Sequence, residues 1–159
     1  MIEGWPAALE ATALATSLRN SVWSYPLVNA AHILGVALLV GSIVPLDLRL
    51  LGVWRSLPLA PLWVVLTRSA GVGLVVAIVF GALLFITRAS EYTNSSLFVA
   101  KMVAVGLGTL NALLLRRLTP LTETPTADTK LRPRLRVAAG ISLGLWLAAL
   151  TLGRLIGYF

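Results

Sequence analysis

The 159-residue chain has no cysteine and a single histidine, His32. The first absence excludes disulfides, thiolate zinc sites, iron–sulfur clusters and cysteine nucleophiles. The second excludes any site built from several histidines of one chain. Acids are also scarce, six against thirteen lysines and arginines, which leaves a net charge of +7. No Walker loop, dinucleotide glycine fingerprint, His-Glu-x-x-His zinc motif or nucleophile elbow occurs. The N-terminus lacks the positive n-region of a signal peptide, so it is expected to be retained. What remains is apolar: 58% of residues are hydrophobic, 12% are charged, and the mean hydropathy is +0.90. That is far above a soluble domain and implies an integral membrane protein. A separate soluble catalytic domain does not fit in this length.

At about 20 residues per crossing, the pattern predicts a single all-α transmembrane domain, an antiparallel four-helix bundle. The expected spans are about 25–51, 64–87, 97–116 and 137–159. A short interfacial helix at about 6–18 precedes them, opened by Pro6 beside Trp5. Gly52 is a C-terminal helix signal for the first span, and Asn94-Ser95-Ser96 can cap the third. Residues 117–136, rich in Thr and Pro, read as a flexible loop without chemistry.

Four spans put Arg49, Arg55, Arg68, Arg116, Arg117, Lys130, Arg132, Arg134 and Arg136 on one side, and only Arg19, Arg88, Lys101 and Arg154 on the other. By the positive-inside rule the first side is cytoplasmic, and both termini face outward across a bacterial inner membrane. The positive charge is then topology and lipid-headgroup contact, and nucleic acid is not needed to explain it. Small residues recur every fourth position at Gly73, Ala77 and Gly81, at Ala100, Ala104, Gly108 and Ala112, and at Gly140, Gly144 and Ala148. Each row is expected to pack helices closely within the bundle.

Polar groups inside spans are functional candidates by default. His32 lies roughly 10 Å below the outer boundary, at ~1.5 Å per residue. Lys101, Arg88 and Arg154 fall in the same outer layer, where little acid offsets them, so an anionic ligand is implied. Asn29, three residues before His32, is a candidate to orient the ring, and Gly35 to leave room beside it for a flat ligand. Haem b survives elimination best among cofactors: one imidazole can hold the iron, and Lys101, Arg88 or Arg154 can meet the propionates. An inner layer holds Asp47, the one acid in the spans, with Arg49, Arg68 and Asn111. Asp47 is expected to pair with Arg68 or Arg49, a structural role with a proton relay as the alternative. Trp23, Tyr25, Tyr158 and Phe159 read as the outer aromatic belt, Trp54 and Trp63 as the inner one, and Trp146 as core.

The string Tyr25-Pro26-Leu27-Val28-Asn29 through His32-Ile33-Leu34-Gly35, then Gly41 and Asp47-Leu48-Arg49-Leu50-Leu51-Gly52, resembles a family of small uncharacterised bacterial four-helix membrane proteins. Gly81 to Phe85, Tyr92-Thr93-Asn94, Phe98-x-x-Lys101 and Asn111 resemble it as well. That family is distantly similar to the copper-resistance D membrane proteins and to haem-dependent membrane protoporphyrinogen oxidases. The resemblance implies a functional histidine–lysine pair, which His32 and Lys101 match by role and order. Three readings follow. The first is a b-type haem protein exchanging electrons with a quinone or porphyrin-like reductant, with Lys101 beside the haem as the catalytic partner of His32. The second is a small transporter or metal-handling protein with an outward-facing site around His32 and Lys101. The third is a structural subunit, of a homo-oligomer or of another membrane protein.

Overall fold

A computed structural model describes residues 4–118 and 132–158, and within them the chain forms helices joined by short connections, without strands. Two short helices, α1 (Trp5–Glu10) and α2 (Ala13–Asn20), precede the first long helix α3 (Ser24–Leu51). Next come α4 (Leu59–Thr87), the short α5 (Ala89–Asn94), α6 (Ser96–Leu118) and α7 (Arg132–Leu155). Helices α3, α4, α6 and α7 are each long and apolar enough to cross a membrane. The chain is therefore a multi-pass membrane protein, an all-α four-helix bundle whose outward-facing apolar side chains meet the lipid.

Local signals set most helix ends. Gly52 adopts φ 109° and closes α3, with the N–H of Val53 donating back to Leu48 O at 2.9 Å. The Ser95 hydroxyl accepts from Phe98 N–H and opens α6. Helix α4 starts five residues before the expected boundary, because Pro58 caps it and Pro61 sits in the first turn, where its missing N–H costs nothing. Helix α7 also starts early, at Arg132. A helix satisfies its own backbone beyond the hydrocarbon, and arginines at its end can reach outward. So α6 and α7 take up both ends of the expected 117–136 loop; residues 119–131 lie outside the described residues. The interfacial helix is two pieces, broken where the Thr12 hydroxyl accepts from Ala15 N–H and caps α2.

The closest packing joins α3 to α4. A Cβ on Gly35 would lie 2.6 Å from Ala77 N, and one on Gly73 would lie 2.5 Å from Leu39 N. Helix α7 packs on the other side of α3 and on α6, whereas α4 and α6 make no backbone approach among the described residues. Trp146, 3% exposed, fills the centre with Leu39, Ile43 and Ala70, and its ring lies on Gly108. Trp63 is 2% exposed among Leu46, Leu50 and Ala139, so it is core and not an inner belt residue. Trp54, exposed, fits that belt; Phe159 lies outside the described residues.

The small-residue rows divide. Gly73, Ala77 and Gly81 all face α3, and Ala104 and Gly108 are buried, but Ala100 and Ala112 are exposed. The α7 row of Gly140, Gly144 and Ala148 faces outward, with nothing within 4 Å of a Cβ at either glycine. Helix α7 instead buries Leu135, Ala139, Ser142, Trp146 and Ala149, a face rotated away from its glycines. Its volume demand is met by Trp146, so the glycines are not used inside the bundle.

Candidate functional site

The imidazole of His32 lies half-buried on α3 against α4. Its Nδ1 is 2.8 Å from the carbonyl oxygen of Ala77. A carbonyl only accepts, so Nδ1 carries the hydrogen and, in the neutral ring, Nε2 carries the free lone pair. Nε2 makes no hydrogen bond among the described residues. Gly81 creates the space for the ring: a Cβ there would lie 3.0 Å from Cε1 and 3.1 Å from Nδ1.

The expected neighbours of His32 are thus replaced. Asn29 is exposed, and the ring is oriented by Ala77 O instead. Gly35 is buried against the α4 backbone, so its missing side chain serves helix approach and not ligand clearance. Ala77 and Gly81 are marked in the sequence by their place in the α4 small-residue row.

Lys101 enters the same layer from α6. Its stem lies along α7, with Cε and Nζ 3.3 Å from where a Gly153 Cβ would stand. The ammonium is half-buried, makes no hydrogen bond or ion pair among the described residues, and is within electrostatic reach of the His32 ring. An unpaired cation within an apolar bundle is a strong ligand for an anion. The two arginines of this layer are placed differently. Arg88 is exposed and pairs with Glu91 at 3.3 Å, and Arg154 is exposed and folds over the Tyr158 ring, 4.6 Å from its centroid. Arg88 and Arg154 are thus exposed, whereas His32 and Lys101 are half-buried within the bundle.

One helical turn toward the terminal side, Phe85, Tyr92 and Phe98, quoted above only for the resemblance, gather with Trp5 into an aromatic cluster. Phe85 follows Gly81 by four residues on α4, and Phe98 precedes Lys101 by three on α6, so each shares a face with a site residue. Their ring centroids are 5.5 Å apart; Tyr92 lies 5.1 Å from Phe98, and Trp5 lies 6.3 Å from Phe85. These rings bridge α4 to α6, which do not meet at the backbone, and they tie α1 to the bundle end.

Polar contacts fix the same cap. Arg19 donates through Nη1 to Thr87 O and through Nη2 to Glu10 O, and the Ser90 N–H donates to Glu10 Oε1 at 2.6 Å. The Ser90 backbone hydrogen bond holds the Glu10 carboxyl below the ordinary glutamate range. A depressed folded-state value means that this tether is fully present above the ordinary glutamate value and is lost as pH falls through the lower, folded one. The Ser90 amide proton resonance is therefore expected to titrate with Glu10, at a midpoint below that of a free glutamate. Loss of that titration in Glu10→Gln checks the assignment.

At the arginine-rich end the expected Asp47 ion pair does not form. Asp47 is 4% exposed; the Ser142 side chain hydrogen-bonds to its carboxyl, and Oδ2 has no partner. Arg49 donates instead to the carbonyls of Leu57 and Arg55, and Arg68 is exposed. The phase of α3 explains this, since Asp47 faces α7 while both arginines reach the bundle end or its surface. Asn111 joins α6 to α7 by donating to Ala138 O at 3.0 Å. Asn111→Leu is expected to cost about 0.5–1 kcal/mol of unfolding free energy in denaturing detergent, as membrane hydrogen bonds do. No family model, no curated protein and no solved structure matches the chain.

Proposed function

We propose that this chain is a b-type haem protein of the bacterial inner membrane, with His32 as iron ligand. It would exchange electrons between a quinone or porphyrin-like reductant and an outer partner. The observation that carries this reading is the His32–Ala77 hydrogen bond, which fixes the tautomer that offers Nε2 to a metal and holds the ring by its other nitrogen. Among the described residues, no three His, Asp or Glu side chains converge. An iron on His32 would therefore take most of its coordination from a macrocycle. The unpaired Lys101 ammonium suits a propionate. Bound haem would supply a one-electron redox centre, which His32 and Lys101 would position. The arginine distribution favours both termini on the outer side.

The test is an absorption spectrum after haem-replete expression and mild-detergent purification, first air-oxidised and then dithionite-reduced. A near-stoichiometric Soret band that sharpens on reduction supports the proposal, and a colourless protein overturns it. Transport is a second reading, favoured by a buried carboxyl at the end of the bundle opposite His32 and Lys101. Flux in proteoliposomes that depends on Asp47 and not on redox poise would select it.

A further inference from the structure

Asp47 is used by neither the cofactor site nor the cap, yet it is the most unusual polar group in the bundle. The residue is 4% exposed in a helix long and apolar enough to cross the membrane, and Oδ2 has no hydrogen-bond partner. The groups facing it from each packed element carry no charge. Helix α7 brings Ser142, itself 6% exposed, and its arginines at 134 and 136 are exposed. Helix α4 brings Trp63, packed with Leu46 and Leu50 on either side of the aspartate, and Arg68 points outward. On α3 itself, Arg49 is committed to backbone carbonyls, and on α6 the nearest polar group, Asn111, is committed to Ala138. A carboxylate in such a place would be a bare charge in a low-dielectric interior, which proteins avoid by pairing or by neutralisation. Pairing is absent among the described residues.

We propose that Asp47 is a proton-binding site in the membrane interior, a carboxyl that keeps its proton at neutral pH without an ionic partner. The Ser142 side chain is the carboxyl's hydrogen-bond partner. Exchange is the simple equilibrium in which the O–H bond of the acid breaks and the proton leaves to water, so no oxidant or second substrate is required. The site is independent of haem.

Infrared difference spectroscopy on the protein in phospholipid vesicles, in H2O and in D2O, tests this. A carboxylic-acid C=O band is expected at neutral pH, shifted by D2O and by 13C-aspartate labelling. The chain has two aspartates, Asp47 and Asp128. The band is expected to vanish in Asp47→Asn and to persist in Asp128→Asn. Ser142→Ala should keep the band and raise its frequency through the lost hydrogen bond. Absence of a 13C-aspartate-sensitive acid band in the wild type overturns the proposal, as does a band that survives Asp47→Asn. Should Asp47→Asn not fold, the labelled wild type with the Asp128→Asn control still decides. The haem spectrum is a separate readout, so failure of one proposal leaves the other standing.

Discussion

Alanine at Gly73 is expected to cost about 3 kcal/mol or more, at the upper end of what added methyl groups cost in packed interiors. The methyl group would stand 2.5 Å from Leu39 N, 2.8 Å from Gly35 O and 2.9 Å from Leu39 Cα. All three are backbone atoms, so no rotamer change relieves the overlap and α3 must separate from α4. Since that contact also sets the distance from His32 to Ala77, His32 should lose its carbonyl partner in the same variant. The comparison is Gly144→Ala, where nothing lies within 4 Å of the new methyl. There the change should be neutral or stabilising by up to about 1 kcal/mol, from helix propensity alone. Unfolding midpoints in mixed micelles measure both; equal shifts in the two variants would sink the close-packing argument.

His32→Ala is expected to reduce haem occupancy to background, because His32 is the one imidazole in the chain. Gly81→Val probes the proposed ligand without deleting it. Even a single Cβ at Gly81 stands 3.0 Å from the ring, and valine adds two branches that would push the imidazole away from Ala77 O. Loss of such a supporting contact typically weakens metal binding by about 10- to 100-fold. Gly81→Val should therefore show a lowered occupancy and a displaced reduced spectrum while its helical circular dichroism is kept. Full occupancy with an unchanged spectrum in His32→Ala would remove histidine ligation from consideration.

Residue order alone was enough for those features of the chain that depend on local or summed properties. Run length and hydropathy set the four crossings, since a membrane helix must satisfy its backbone internally over a fixed thickness. Gly52 and Ser95 set helix ends because capping is a contact of a few neighbouring residues.

Which helix faces meet is set by contacts between distant segments. Lipid is as apolar as leucine, so hydrophobicity does not distinguish a helix face turned to the core from one turned outward. The three small-residue rows look alike in sequence, yet one closes the α3–α4 contact, one is half used, and the α7 row is exposed. The same rotational choice gives His32 to Ala77 and not to Asn29, and Asp47 to Ser142 and not to an arginine. It also gathers Trp5, Phe85, Tyr92 and Phe98 from four helices into one cap. Helix rotation is fixed by close steric fit between distant segments, and that information is carried by pairs of residues far apart in the chain.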